Sequence, residues 1–142
     1  MNADSARVYR AEVLVRFAHC DPAGMVFYPR YLEMFNNLVE DWCRAEGFPF
    51  ADIQSGRGLG LPAVHVEVDF VAPSVLGEVL AATLSVSGVG ASSINLEIEL
   101  RGPDGARRVR GKLVLVLMDV GAKRAVALPD DLRNRIAAFC AA

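Results

Sequence analysis

One carboxylate in this chain has a setting suited to chemistry. Asp21 lies in Phe17-Ala18-His19-Cys20-Asp21-Pro22-Ala23-Gly24-Met25-Val26-Phe27-Tyr28-Pro29-Arg30-Tyr31, between an alternating apolar run and an amphipathic one. Pro22 biases the Asp21 backbone towards extended φ/ψ, and Ala23 and Gly24 are too small to cover its side chain. The amphipathic run begins near Tyr28 to Tyr31, so the free N–H groups and positive dipole end of a helix lie close by in sequence. A carboxylate beside such a helix start suits acyl transfer, because the N–H groups can bind an oxyanion. The same residues also suit a plain Asp-Pro turn in which Asp21 helps cap a helix.

Other reactive residue types form weaker patterns. Cys20 adjoins His19, as a thiol nucleophile and base would, but no third orienting group is evident. The three cysteines are odd in number and none has CxxC spacing, which argues against disulfides and zinc. Two histidines leave too few ligands for a catalytic metal, so no metal is expected. His65 falls on the polar side of its run with Glu67 and Asp69, where a surface or interface role suffices. Arg108, Arg110 and Lys112 alternate along one run and suit either phosphate ligands or a solvated face.

Elements that could position Asp21 follow from periodicity. Val8 to Phe17 alternates, with Tyr9, Ala11, Val13, Val15 and Phe17 on one side, and reads as a half-buried strand. From about Pro29 to Glu46 the period becomes helical. Tyr31, Phe35, Leu38 and Trp42 form one row, Leu32, Val39 and Cys43 the row beside it, and charged residues face away. Pro29 suits the first turn and Gly47 the C-terminal cap. Leu61 to Leu128 reads as consecutive strands, with a hairpin loop at Gly102-Pro103-Asp104-Gly105. Leu113 to Met118 is apolar on both faces, which places it mid-sheet. The opposite face carries Thr83, Ser85, Glu97 and Glu99, and can be solvated or used for association. Pro129-Asp130-Asp131 opens a short last helix with Leu132, Ile136 and Phe139 on one side. One long helix against one antiparallel sheet is an α+β arrangement.

A length of 142 residues fits one domain, 1–142. A net charge of −2 gives no reason to expect nucleic acid. Met1 to Arg10 has no apolar core, so it does not read as a secretory signal, and no stretch approaches the length of a membrane span. No membrane partner is expected, and the expected location is the cytoplasm.

The run Asp21-Pro22-Ala23-Gly24-Met25-Val26-Phe27-Tyr28-Pro29-Arg30-Tyr31 resembles the signature of the 4-hydroxybenzoyl-CoA thioesterase family of hotdog enzymes. Gly60-Leu61-Pro62, Asp69-Phe70, Pro73 and Gly77 are a weaker echo of the same family. The resemblance implies a hotdog fold, an antiparallel sheet of five or six strands wrapped round one long central helix. It implies an enzyme that hydrolyses an aromatic or medium-chain acyl-CoA to the free acid and CoA. No cofactor is expected, coenzyme A being part of the substrate. The resemblance also implies a homodimer at least, and a homotetramer, with active sites at the subunit interface.

Roles carry over by matched position. Asp21 corresponds to the catalytic carboxylate, as nucleophile or general base. Tyr28 corresponds to the residue whose backbone N–H binds the thioester oxygen. Phe27 lines the acyl pocket, with Met25 and Met34 as further apolar candidates, and Gly24 leaves room for substrate. Asn36, at the edge of the apolar stripe, stands where the 4-hydroxybenzoyl enzyme has an aspartate for the phenol. That change argues against a phenolate-like substrate. His19 replaces an acid and could tune Asp21. Val89 to Ser93 replaces a basic cluster for the CoA nucleotide, which leaves Arg108, Arg110 and Lys112 as phosphate candidates and Ser93 as a group near the thioester. Pro29 stands where the Tol-Pal-associated short-chain branch has a histidine, which favours the aromatic branch. Two other activities are compatible with the fold: a hydroxyacyl dehydratase and a non-catalytic acyl-CoA-binding module.

Overall fold

Residues 7–140 are described by the computed structural model, so residues 1–6 of the N-terminal stretch lie outside them. The apolar alternation of the N-terminal run produces β1 (Tyr9–Leu14), in which Tyr9, Ala11 and Val13 turn inward. After a single helical turn (Phe17–His19) and the Asp21 loop comes α1 (Tyr28–Ala45). Its buried residues, Tyr31, Met34, Phe35, Leu38, Val39, Trp42 and Cys43, follow the helical period and form one stripe. Leu32, assigned to that stripe from periodicity, is 43% exposed, because it sits on the border that faces a groove. Phe17 is 84% exposed, because the chain leaves the strand register at Val15 and turns.

Five strands wrap the helix. They are β1, β3 (Ala63–Phe70), β4 (Val79–Val89), β5 (Ser93–Arg101) and β6 (Arg107–Val116), in the antiparallel order β1-β4-β5-β6-β3. Leu80, Leu84, Ile94, Ile98, Leu100 and Val109 turn inward with 0–1% exposure. Gly111 faces the same way, and a Cβ there would come within 2.5 Å of the Phe35 ring. The absence of a side chain lets sheet and helix close on each other at this point. The outer face carries Glu97 and Glu99, which pair with Arg101, Arg107, Arg110 and Lys112.

Leu113–Val116 lies mid-sheet, with β6 paired to β5 on one side and β3 on the other. That run ends β6 at Val116 and passes into a second sheet of β2 (Leu59–Gly60), β7 (Met118–Asp119) and β8 (Arg124–Ala125). The last helix, α2 (Asp130–Ala137), buries Leu132 and Ile136, and Phe139 beyond it meets Trp42 edge-to-face at 5.4 Å.

One strand departs from its pattern. β3 alternates apolar and polar residues, yet Val64, Val66 and Phe70 are 62%, 42% and 53% exposed. Among the described residues it pairs only with β6, which leaves its other edge without a partner strand there. No described helix is long and apolar enough to cross a membrane.

Candidate active site

The Asp21 loop is a small hairpin. Asp21 N–H donates to the Met25 carbonyl (3.0 Å), Gly24 N–H to the Asp21 carbonyl (2.9 Å), and Phe27 N–H to the His19 carbonyl (2.9 Å). Gly24 takes φ +77°, a conformation suited to glycine, which lets the turn close in so few residues. Asp21 is half-buried, and its Oδ1 accepts the Ala23 N–H at 2.9 Å. The turn reading of Asp-Pro is therefore present in the structure, with Asp21 bonded to its own loop and not to the helix. One carboxylate oxygen is oriented by this bond while Oδ2 accepts no described donor.

The hairpin delivers the chain to the start of α1. Phe27 precedes the helix with extended φ −72° and ψ 127°, contributes no side-chain cap, and no acidic residue lies in the first turn. Pro29 has no N–H, and Arg30 N–H donates to the Phe27 carbonyl at 2.9 Å. The Tyr28 N–H, at the positive end of the helix, has no acceptor among the described residues. Phe27 and Tyr28 are 47% and 61% exposed and meet edge-to-face at 5.4 Å. Tyr28 also faces Phe70 at the end of β3, ring to ring at 6.2 Å.

A groove lies between α1 and the Ala63 end of β3. It holds about 190 Å³ and is lined by Leu32, Phe35, Asn36, Val39, Phe50, Leu61, Ala63, Val66, Leu113 and Leu115. Tyr28, Leu32 and Asn36 are spaced at four residues, so they form one row of the helix leading into it. Asn36 is the only amide among the lining residues. Phe27 is not part of this lining, and Met25 lies in the loop, opposite Val75. Met34 is buried in the core at 3% exposure, against β1 on the far flank of α1, because it belongs to the inward stripe.

The remaining candidates separate. The His19 ring turns back on its own turn, where Nδ1 accepts the Arg16 N–H at 2.9 Å. Burial, and then the charge of Arg16, lowers its pKa, and its described hydrogen bond is to Arg16 and not to Asp21. Ser93 begins β5 beside Val116, whereas the Asp21 loop meets the chain just before β4. The length of β4, 11 residues or about 35 Å, lies between them within one chain. Arg108 is engaged by Glu78, while Arg110 and Lys112 pair with Glu97 on the outer face, away from the groove. Burial pushes the Cys43 thiol up to about 12, which makes it inert. Cys20 donates weakly to the Arg16 carbonyl at 3.5 Å. No group of three metal-ligating side chains occurs among the described residues.

Sequence reasoning did not identify Glu78 or Ser74, nor the groove residues Phe50, Leu61 and Val66. Their roles come from contacts between distant segments, and no local spacing signals them.

Residues 15–136 match the thioesterase-like superfamily. A 1,4-dihydroxy-2-naphthoyl-CoA hydrolase of Synechocystis sp. is 29% identical over 123 residues, covering 86% of this chain and 89% of the relative. The enzyme of the same name from Thermosynechococcus vestitus is 25% identical over 132 residues, covering 93% of this chain and 89% of the relative. The crystal structure of the Synechocystis thioesterase superposes with a TM-score of 0.85 at 24% identity, covering 92% of this chain and 96% of the other. A Staphylococcus aureus protein solved with CoA superposes at 0.89 with 16% identity, covering 98% and 87%. A gentisyl-coenzyme A thioesterase superposes at 0.79 with 24% identity, covering 89% and 98%. The chain belongs to the thioesterase-like superfamily and is a hotdog-fold thioester hydrolase.

Proposed function

We propose that the protein hydrolyses a hydroxylated aromatic acyl-CoA, of the 1,4-dihydroxy-2-naphthoyl class, to the free acid and CoA. The observation that carries this reading is the unpaired Tyr28 N–H, with Asp21 in the adjoining hairpin and an apolar groove further along the same row of α1. The thioester oxygen accepts the Tyr28 N–H, and the helix dipole favours the charge that develops there. Asp21 either attacks the carbonyl carbon, expelling the thiolate to give a mixed anhydride that water cleaves, or takes a proton from an attacking water. The acyl group lies along Leu32 towards Asn36. A neutral amide both donates and accepts, which suits a neutral phenol better than a phenolate. The named relatives act on such an aromatic group. No metal or cofactor enters this chemistry, and the proposed location is the cytoplasm.

The active unit in this reading is a homodimer at least. Edge-to-edge pairing of β3 about a two-fold axis would extend the sheet and cover Val64, Val66 and Phe70. Antiparallel self-pairing sets the Ala63 end of one β3, with its groove, against the Phe70 end of the other, with its Tyr28 N–H. Each site would then draw on both copies, and the charged outer face is free for further association into a tetramer. A dehydratase would need a shielded histidine–carboxylate pair. The His65–Glu67 pair, at 3.0 Å, is more than half exposed on β3, so nothing favours that reading.

Thiol release from benzoyl-, 4-hydroxybenzoyl-, 1,4-dihydroxy-2-naphthoyl-, phenylacetyl- and straight-chain acyl-CoA esters tests the proposal. The hydroxylated aromatic esters should be preferred, and Asp21→Asn should lose at least ~100-fold, a ΔΔG‡ of about 2.7 kcal/mol. An Asp21→Asn variant that binds and turns over like wild type would remove the mechanism.

A further inference from the structure

The Asp21 hairpin rests on a second loop, Pro73 to Glu78. Val26 N–H donates to the Ser74 carbonyl (2.9 Å), Met25 pairs with Val75, and Leu76 N–H donates to the Gly24 carbonyl (3.0 Å). That loop is held from β6. Arg108 Nη1 and Nη2 donate to Glu78 Oε1 and Oε2, both at 2.9 Å, a bidentate pair. Nη1 also donates to the Pro73 carbonyl (2.9 Å) and to Ser74 Oγ (3.4 Å), and Ser74 is fully buried. Glu78 Oε1 in turn accepts the Val75 N–H at 2.7 Å. The two side chains are 13% and 21% exposed, unlike the other ion pairs of the described residues, each of which has a member more than a third exposed. Gly102 leaves the space this guanidinium fills, since a Cβ there would collide with it.

We propose that the Arg108–Glu78 pair is a positioning device for the active site, fixing the 73–78 loop so that the Asp21 carboxylate and Tyr28 N–H keep their reactive placement. Neither side chain needs to meet substrate, since both act through the backbone bonds to Gly24 and Val26. The guanidinium links β6, the last strand to join the sheet before the edge, to the loop that precedes β4. The proposal rests on the reading of Asp21 and Tyr28 given above for its kinetic part, whereas its structural part stands on the hydrogen bonds alone. Arg108→Lys keeps the charge but loses the fork. Glu78→Gln keeps an acceptor for Val75 and for one Arg108 N–H.

Amide hydrogen exchange on the full chain reads the structural part without any activity. In Arg108→Lys, exchange at Asp21, Ala23, Gly24, Val26 and Phe27 should rise at least ~10-fold, with β4 and β5 amides unchanged. Single-turnover thioester cleavage at saturating enzyme, which does not depend on the active fraction, should slow by a similar factor with KM within ~3-fold, and Glu78→Gln should slow it less. Gly102→Ala, which displaces the guanidinium without altering it, should give the same loop-confined exchange and serves if Arg108→Lys does not fold. Exchange that rises equally in the loop and in β4 and β5, or stays unchanged in the loop, would overturn the proposal. So would a KM that rises with an unchanged single-turnover rate, since Arg108 would then be binding substrate. Loop exchange that rises in an enzyme inert on every ester would leave the positioning of the loop standing and remove the thioesterase mechanism instead.

Discussion

At its C-terminal end, α1 stops on Gly47 at φ +88°, with Gly47 N–H bonded to the Arg44 carbonyl (3.1 Å) and Phe48 N–H to the Cys43 carbonyl (2.7 Å). This is a Schellman closure, in which orphan carbonyls find donors and the chain reverses cleanly. At its N-terminal end there is no side-chain cap, no acid in the first turn, and a free N–H at Tyr28 between two exposed aromatic rings. A good N-cap is typically worth about 1 kcal/mol, and this helix does without one. The difference teaches where to look for chemistry. An end closed by its own backbone has no capacity left for a ligand, whereas an end left open beside a held carboxylate can bind developing negative charge.

The comparison sharpens if the open end is closed. Phe27→Asp supplies a cap and an acid at the helix start, so the variant should be more stable by about 0.5–1 kcal/mol. The same charge would oppose the oxyanion, so kcat should fall at least ~10-fold below that of the neutral control Phe27→Asn. Calorimetry and turnover of the two variants check both signs. A Phe27→Asp enzyme both stabilised and fully active would break the link between openness and function.

The closed end should respond the other way. Gly47→Ala meets no neighbour, so its cost is conformational, about 1–2 kcal/mol at this φ. Tm should fall by about 3–8 °C while turnover per folded molecule is unchanged. A large kinetic effect there would show that the two ends are not independent.

A smaller effect is expected with pH. Arg108, by hydrogen bonding, holds the Glu78 carboxyl down at about 2, from an ordinary 4.5. Its folded-state value is depressed, so the pair's stabilisation is fully present above about 4.5 and is lost as pH falls from there through about 2. Urea unfolding between pH 6 and pH 3 should show this loss, and Glu78→Gln should show less of it.

Much of this fold was legible in the sequence because its elements bury one face. The helical spacing from Tyr31 to Cys43 and the alternation in Ile94 to Leu100 each correspond to a side turned towards the core. The strands of β2, β7 and β8 have two residues each and carry no readable period. The alternation in β3 was visible, but Val64, Val66 and Phe70 on it stay exposed, since periodicity shows which residues share a face and not whether that face is covered. At the candidate site, the Asp21 turn and the helix start were legible as a contiguous run. The groove was only partly so, since Leu32 was read as core and Met34 as pocket, and the two, two positions apart, fall on different sides of α1. Arg108 looked like one cation in a solvated row, and its bond to Glu78, 30 residues away, joins segments that no local spacing connects.

The most direct test of the oxyanion role is to delete the Tyr28 N–H and nothing else of the helix. Proline is tolerated at the first helical position, and the extended Phe27 backbone already suits a following proline. Tyr28→Ala removes the ring and keeps the N–H, while Tyr28→Pro removes both. If the N–H binds the thioester oxygen, Tyr28→Pro should lose roughly 10²–10³-fold in kcat relative to Tyr28→Ala, about 2.7–4 kcal/mol. Equal turnover by the two variants, both folded, would contradict that role.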